Sequence, residues 1–220
     1  RVQKNYFYVG NGSGGDVSAP YSINLVQGLV NAGVQLDSTV LAAYESWCTA
    51  SVNDPDPGFW GHWPRYYAEM PVKQDWVQAA AKRCQTAVVV IGRSAGEDRE
   101  HTLKKGSFYL TNKEKALLDA VTTAFQKVVL VLNIGSIMDF AEIDAYGDKI
   151  SAILLAWQLG MESGNAVADV LTGQVNPSGR LTDTIAKTYA DYPAQNFGNK
   201  AENRYTEDIF VGYRYFETFA

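Results

Sequence analysis

The sequence predicts an α/β fold in which a predominantly parallel sheet lies between helices. Three runs are apolar without polar alternation, as expected of strands buried on both faces: residues 87–92, 128–133 and 151–156. Helical patterns separate these runs, and strands alternating with helices at this spacing favour a parallel sheet covered on both sides. The 220 residues, 46% of them apolar, suffice for the core of such a domain.

The amino-terminal part begins with a strand-like run, Tyr6–Val9, followed by a glycine-rich stretch. Residues 21–32 have a helical pattern, and Pro20 suits the first turn of that helix. We therefore expect a strand, a glycine loop and a helix in this order.

The glycine stretch permits a nucleotide-binding interpretation. Gly10, Gly12 and Gly15 satisfy G-x-G-x-x-G, and Asp37 lies near the offset of a ribose-binding acid. That fingerprint requires a helix beginning inside the glycines, whereas residues 16–20 intervene here. The glycines are better explained as a loop that lets a ligand approach the backbone closely.

Two further helical patterns precede the central strand, at residues 39–50 and 75–84. The second carries Cys84, which its apolar surroundings predict to be a buried thiol. Between the two helices, residues 53–64 are rich in turn formers and aromatic side chains, among them Phe59 and Trp60. These rings suit stacking on a sugar, and packing against a neighbouring domain explains them equally well.

The stretch from residue 87 to residue 114 organises the rest of the chain. The predicted strand ends near Gly92, and the capping box from Thr111 to Glu114 begins the next helix. Residues 93–101, between them, form a charged loop longer than a minimal connection. Open α/β sheets place their sites on loops at the carboxyl ends of strands. We therefore predict a functional loop, with a merely solvated loop as the alternative.

The remaining elements continue the alternation and then lose it. Strands are expected at residues 128–133 and 151–156, followed by a helix that ends near Gly173. Beyond residue 176 the apolar residues show no strand or helix periodicity, except that residues 210–216 resemble a strand. Such a tail usually wraps its domain or leads into a following one.

Composition excludes several classes of function. The net charge of −5 and the absence of a basic stripe argue against a nucleic-acid partner, and no run reaches transmembrane length. Cys48 and Cys84 match neither a metal-binding spacing nor a disulfide framework. We expect no metal and no cofactor, no membrane association, and leave the compartment open.

Several blocks together resemble glycoside hydrolase family 3, specifically its α/β-sandwich domain. They occur in the family's order and cover nearly the whole chain: Gly12–Asp16, Val89–Glu97, Gly106–Thr111, Trp157–Ala166, Asn176–Leu181 and Phe210–Phe216. The blocks look most like those of bacterial β-glucosidases, including enzymes in which the sandwich precedes the barrel. The resemblance implies an (α/β)6-sandwich over residues 1–220, with residues 176–220 as an extended tail leading toward a following domain.

The resemblance also implies a role for Glu97. In this family a TIM-like barrel supplies a carboxylate nucleophile and the sandwich domain supplies the general acid/base of a retaining mechanism. The family's S-G-E-G loop maps onto Ala95–Asp98, so Glu97 inherits the acid/base role. Asp98 replaces the usual glycine, and a second carboxylate there either raises the pKa of Glu97 or shares its role. Glu100 is a weaker candidate, and an exposed Glu97 without chemistry is the alternative.

Substrate contacts follow from the same resemblance. The glycine loop carrying Ser13 resembles one that reaches the glycone subsite, and Phe59 or Trp60 is assigned to an aglycone subsite. The implied partners are a β-linked glucoside or oligosaccharide and the barrel domain of the same enzyme; a homo-oligomer is left open. Nothing in the chain matches the family's nucleophile motif, so the chain alone is expected to be inactive.

Two other functions remain as alternatives to the hydrolase. The first is a carbohydrate-binding or regulatory remnant without catalysis, and the second is a nucleotide-binding α/β domain.

Overall fold

The computed structural model describes residues 19–50, 64–94, 96, 102–194, 201–202 and 204–219. These residues form a three-stranded parallel sheet with helices on both faces, which confirms the predicted arrangement. The strands are β1 (Thr86–Arg93), β2 (Lys127–Ile134) and β3 (Ala152–Leu155). The helices are α1 (Leu25–Asn31), α2 (Ser38–Thr49), α3 (Gln74–Ala81), α4 (Asn112–Ala124), α5 (Ala141–Asp144), α6 (Ser163–Leu171) and α7 (Tyr213–Phe219), with short 3₁₀ turns at Gly147–Lys149 and Tyr189–Asp191.

The strand β2 lies between the other two, in the order β1-β2-β3. Thr86 pairs with Lys127 at one end and Arg93 with Ile134 at the other, so β1 and β2 end at the same edge. Neighbouring residues of β2 point to opposite faces, as strand geometry requires. Leu130 therefore packs in one apolar cluster and Val131 in another. This double burial explains the continuous apolar run in the sequence.

Each face of the sheet is covered by a pair of helices. On one face, Val77 of α3 and Leu118 of α4 pack in the larger cluster. On the other face, Leu29 of α1 and Val167 of α6 pack around Val131. These side chains are all at most 8% exposed, so water is excluded from both faces of the sheet around Leu130 and Val131, whereas Val88 of β1 and Ile153 of β3 are exposed.

The helices α1 and α6 meet through glycines. A Cβ atom built on Gly28 would lie 2.0 Å from the Gly164 carbonyl oxygen, and one built on Gly164 would lie 2.0 Å from the Asn24 carbonyl oxygen. The backbones also bond directly: Ile23 N–H donates to Met161 O at 2.7 Å, and Gly164 N–H donates to Ile23 O at 2.9 Å. Only residues without a side chain permit this approach.

The predicted start of the first helix was wrong. Helix α1 begins at Leu25, not at Tyr21, and Pro20 lies outside it. Asn24 sets the boundary because its side chain accepts from Gln27 N–H while the Gln27 side chain accepts from Asn24 N–H. This reciprocal capping satisfies two N–H groups that a helix start leaves unpaired.

The prediction of a strand-like segment at residues 210–216 was also wrong. Gly212, with φ of 60°, precedes helix α7, so residues 213–216 are helical. In a helix, residues four apart lie on the same side. The rings of Tyr215 and Phe219 accordingly approach to 5.5 Å between centroids, a contact that the alternation pattern did not reveal.

The prediction that Cys84 is a buried thiol was wrong. Cys48 on α2 is buried, whereas Cys84 is only partly buried and lies beyond the end of α3. Helix α3 ends at Ala81, so the apolar pattern that suggested a buried thiol at Cys84 extends past the helix itself. Both thiols are free.

Candidate functional site

The carboxyl edge of the sheet is held together by side chains that cross between strands. Gln158, just past β3, donates from Nε2 to the Arg93 carbonyl oxygen at 3.2 Å. Asn133 in β2 donates from Nδ2 to the Trp157 carbonyl oxygen at 2.7 Å. Trp157 has φ of 50°, a left-handed conformation that costs a non-glycine residue of order 1–3 kcal/mol. Strain of this kind persists where surrounding contacts enforce it, as the Asn133 bond does here.

A buried arginine ends β1. The Arg93 side chain is 1% exposed and forms a bidentate ion pair with Glu114, with Nη1–Oε1 at 2.7 Å and Nη2–Oε2 at 2.8 Å. The other three N–H groups donate to the carbonyl oxygens of Gly92, Ser107 and Tyr109 at 2.9, 3.2 and 3.5 Å. All five donors of the guanidinium therefore have acceptors, as a charge removed from water requires.

The Glu114 carboxylate takes part in two interactions, a helix cap and an ion pair. Its Oε2 accepts from the Thr111 N–H at 2.7 Å while its own N–H donates to Thr111 Oγ1 at 3.1 Å, which confirms the predicted capping box. The same carboxylate carries the ion pair with Arg93. The start of α4 is thereby joined to the end of β1.

The aromatic ring of Tyr66 packs between Arg93 and Gly106. The Arg93 Cζ atom lies 5.4 Å from the centroid of the Tyr66 ring, within cation–π distance. Gly106 meets the same ring, since a Cβ atom there would lie 2.1 Å from Tyr66 Cε1. Its φ of 82° also favours glycine.

Both ends of the segment between Ser94 and Thr102 are anchored. Ser94 N–H donates to Arg65 O at 2.7 Å, and Ser94 Oγ donates to Pro64 O at 2.8 Å. At the other end, Thr102 N–H donates to Ser107 Oγ at 3.0 Å. The described residues on the two sides of the predicted functional loop are therefore each bonded through a buried serine, Ser94 at 6% and Ser107 at 3% exposure.

The predicted site residues themselves lie outside the described part of the chain. None of Ser13, Phe59, Trp60, Glu97, Asp98 and Glu100 is among the residues that the structure describes. Their roles stay predictions.

Asp37, the acid considered for ribose binding, has a structural role. Its Oδ1 accepts from Thr39 N–H and Val40 N–H, both at 3.0 Å, and so caps α2. Arg83 donates from Nε to Oδ2 at 2.6 Å. The Arg83 hydrogen bond is the main reason that the pKa of Asp37 is lowered from its ordinary value. A carboxylate used in this way does not favour the nucleotide-binding interpretation.

We expect Asp37→Asn to destabilise the fold at neutral pH and to matter less in acid. Asparagine caps helices well, so the change mainly removes the charge that Arg83 binds. Because folding lowers the pKa of Asp37, its contribution is present above the unfolded pKa of about 3.9 and is lost as the pH falls through the folded value. Urea unfolding at pH 7 and pH 3 measures this. An equal penalty at both pH values would contradict it; Arg83→Gln is the matched control.

A large groove lies away from the carboxyl edge. It has a volume of about 1080 Å³ and is bounded mostly by apolar side chains of α1, α2, α3, β1 and the connection between α1 and α2, including Leu36, Val40 and Trp76. Its two acids, Asp37 and Glu69, already accept backbone hydrogen bonds. Among the described residues that line it, the groove therefore offers no free pair of carboxylates for hydrolysis.

The described residues were also compared with the requirements of a metal site and of a membrane-spanning helix. These residues hold no group of three or more His, Cys, Asp or Glu close enough to bind a metal ion. None of the described helices is long and apolar enough to cross a membrane.

Sequence reasoning missed the Arg93–Glu114 pair. The only signal was an arginine at the end of an otherwise apolar strand and a glutamate already explained by the capping box. It also missed a series of ring contacts joining the loop after residue 102 to the C-terminal segment: Phe108–Tyr189 at 5.7 Å, Tyr189–Tyr192 at 6.1 Å and Tyr192–Phe216 at 6.2 Å.

Comparison with known proteins gives a consistent result. Residues 3–213 match the glycosyl hydrolase family 3 C-terminal domain. The chain is 43% identical over 221 residues to a β-glucosidase of Ruminococcus albus, covering all of this chain and 23% of that protein.

Solved structures agree in fold. A β-glucosidase of Paenibacillus barengoltzii superposes with a TM-score of 0.92 at 41% identity, covering 99% of this chain and 24% of that one. A Thermotoga neapolitana β-glucosidase in complex with glucose gives 0.84 at 34% identity, covering 99% and 31%. The chain thus spans about a quarter to a third of these relatives' lengths.

Proposed function

Since the chain belongs to glycoside hydrolase family 3, we propose that it supplies the general acid/base, Glu97, to a retaining β-glucosidase whose barrel domain supplies the nucleophile. The complete enzyme contains this domain and that barrel. The substrates are β-linked glucosides, oligosaccharides or aryl glucosides, in keeping with the names of the relatives.

One observation carries the proposal. Glu97 follows Arg93 by four residues in the sequence, and Arg93 ends β1 at the carboxyl edge of a parallel sheet. Open α/β sheets bind their ligands at this edge. The anchors at Ser94 and Thr102 on either side of the segment support a loop that holds an acid in a set position.

The chemistry needs two carboxyl groups about 5–5.5 Å apart. In the first step the barrel's carboxylate attacks the anomeric carbon while Glu97 protonates the departing glycosidic oxygen. In the second step Glu97 takes a proton from water, which displaces the enzyme from the sugar. The product leaves with the anomeric configuration of the substrate.

Neighbouring residues have subsidiary proposed roles. Asp98 either raises the pKa of Glu97 or shares its work, because two adjacent carboxylates disfavour double ionisation. Ser13 is assigned to the glycone subsite, and Phe59 or Trp60 to the aglycone subsite. The C-terminal residues 176–220 lead toward a following domain.

We expect purified chain 1–220 to hydrolyse nothing above buffer. Asp98 and Glu100 are too close to Glu97 in sequence to face it across a sugar ring, so the fragment has no nucleophile. Release of nitrophenol from a nitrophenyl β-glucoside measures this, with the complete enzyme as the control. Nuclear magnetic resonance of the control's product should show the β anomer first.

Two results would contradict the proposal. Activity of the homogeneous fragment would show that the division of the active site is wrong. A folded complete enzyme without activity on β-glucosides would favour the non-catalytic, carbohydrate-binding alternative.

A further inference from the structure

We infer that the buried Arg93–Glu114 ion pair, acting through Ser107, is the positioning element for the loop that carries the catalytic acid. This inference rests on the proposed function of Glu97. It assigns Arg93, Glu114 and Ser107 to positioning, since none of them is argued to touch the substrate.

The first support is connectivity. In the sequence the loop follows Arg93 at the end of β1, and seven residues, 95–101, separate Ser94 from Thr102. Arg93 Nε–H donates to the Ser107 carbonyl oxygen at 3.2 Å, and Ser107 Oγ accepts from Thr102 N–H at 3.0 Å. One guanidinium therefore joins the departing end of the loop to the returning end.

The second support is that contacts on several sides fix the position of the Arg93 side chain. Its five N–H groups donate to five separate oxygens, two of them on Glu114. Its own carbonyl oxygen accepts from Gln158, which lies on the far side of β2. The Tyr66 ring covers the guanidinium, and Gly106 fits against that ring. Because the Arg93 side chain is held by so many contacts, the backbone of the residues before and after Arg93 is held in position as well.

The third support is the chemistry of a buried charge pair. Arg93 and Glu114 are 1% and 5% exposed. A buried ion pair often contributes no more to stability than apolar side chains of the same volume. Its value lies in direction, because the planar fork accepts a carboxylate in one orientation. A directional contact at the base of a catalytic loop suits positioning better than general stabilisation.

Misplacement of an acid has a distinct kinetic signature. Displacement of a catalytic group by about 1 Å can cost on the order of 10²-fold in rate. The loss is largest for leaving groups that need a proton, such as the glucose released from cellobiose, and smallest for nitrophenol. A merely structural defect lowers the fraction of folded enzyme and reduces both rates equally. The ratio of the two kcat values therefore separates the two roles.

Three variants of the complete enzyme test the inference. Ser107→Ala removes the bond to Thr102 but keeps the carbonyl that accepts from Arg93. Glu114→Gln keeps the capping box, which glutamine also forms, and removes the charge. Arg93→Lys keeps the charge and removes the fork. Val121→Ala, a buried position on the same helix with no contact to Arg93 among the described bonds, is the matched control.

We expect the kcat on cellobiose to fall about tenfold in Ser107→Ala and about 10²-fold in Glu114→Gln and Arg93→Lys, with several-fold smaller losses on nitrophenyl glucoside. Val121→Ala should leave the ratio of the two rates unchanged. If either of the other two variants does not fold, the ratio of the two kcat values in Ser107→Ala tests the positioning role.

Glu97→Gln, assayed in parallel, distinguishes failure of the positioning role from failure of the proposed function. A changed ratio in Glu97→Gln with an unchanged ratio in folded Ser107→Ala would overturn the positioning role alone. An unchanged ratio in Glu97→Gln would overturn the proposed function and this inference with it.

Discussion

Glu97→Gln in the complete enzyme is expected to lower kcat on cellobiose by about 10²–10⁴-fold, the range that a general acid contributes. The amide has nearly the shape of the acid but has no proton to give at neutral pH. Nitrophenol is a good leaving group without protonation, so the loss on nitrophenyl glucoside should be smaller. Steady-state kinetics with both substrates, on protein with an unchanged melting temperature, measures the difference.

The neighbouring carboxylates are the controls for that experiment. Asp98→Asn and Glu100→Gln should retain most of the activity on cellobiose if Glu97 is the sole acid. A comparable loss in Asp98→Asn would show that the two acids share the role. Equal losses on both substrates in Glu97→Gln, or no loss, would remove Glu97 from the mechanism.

Gly164→Ala is expected to lower the free energy of unfolding by about 3 kcal/mol, at the upper end of the range for overpacked sites. The new Cβ atom would lie 2.0 Å from Asn24 O and 2.6 Å from Ile23 O, and both are backbone atoms that cannot rotate away. Helix α6 would have to move from α1, which would break the Gly164 to Ile23 hydrogen bond.

Gly179→Ala is the matched control for this stability measurement. Gly179 is exposed, and a Cβ atom there would meet nothing within 4 Å. Its effect should stay within about 0.5 kcal/mol. Thermal unfolding of both purified variants beside the wild type gives the comparison. A Gly164→Ala variant as stable as Gly179→Ala would mean that the two helices do not touch through their backbones.

Local patterns predicted the elements whose causes are local. The apolar runs identified β1, β2 and β3 because strands of a covered parallel sheet carry no polar alternation, although Ala152 and Ile153 of β3 are exposed in the structure. Thr111 and Glu114 identified the start of α4 because a capping box involves only four successive residues. The first helix was placed too early because Pro20 suits many turns, whereas the reciprocal Asn24–Gln27 cap was overlooked.

The candidate site was predictable only in its position along the chain. The end of β1 and the start of α4 bracket the loop, and family resemblance assigns the acid within it. Asp37 shows the limit of motif reading, since its spacing suggested a ribose contact while its carboxylate caps α2 and binds Arg83. A motif records residue types and their spacing in the sequence, but it does not record which side chains and backbone groups they contact in the fold.

By itself the sequence determined the fold class, the parallel strands and the segment between β1 and α4 in which the functional loop is predicted, because periodicity and capping act between residues close together in the chain. Only the tertiary structure decided that Arg93 is buried, that it pairs with Glu114, 21 residues away, and that Gly28 and Gly164 bring two helices into backbone contact. It also decided that residues 213–219 form a helix. These features depend on which surfaces come into contact when the sheet and the helices pack. Shape complementarity and the desolvation of polar groups across the whole domain decide those contacts.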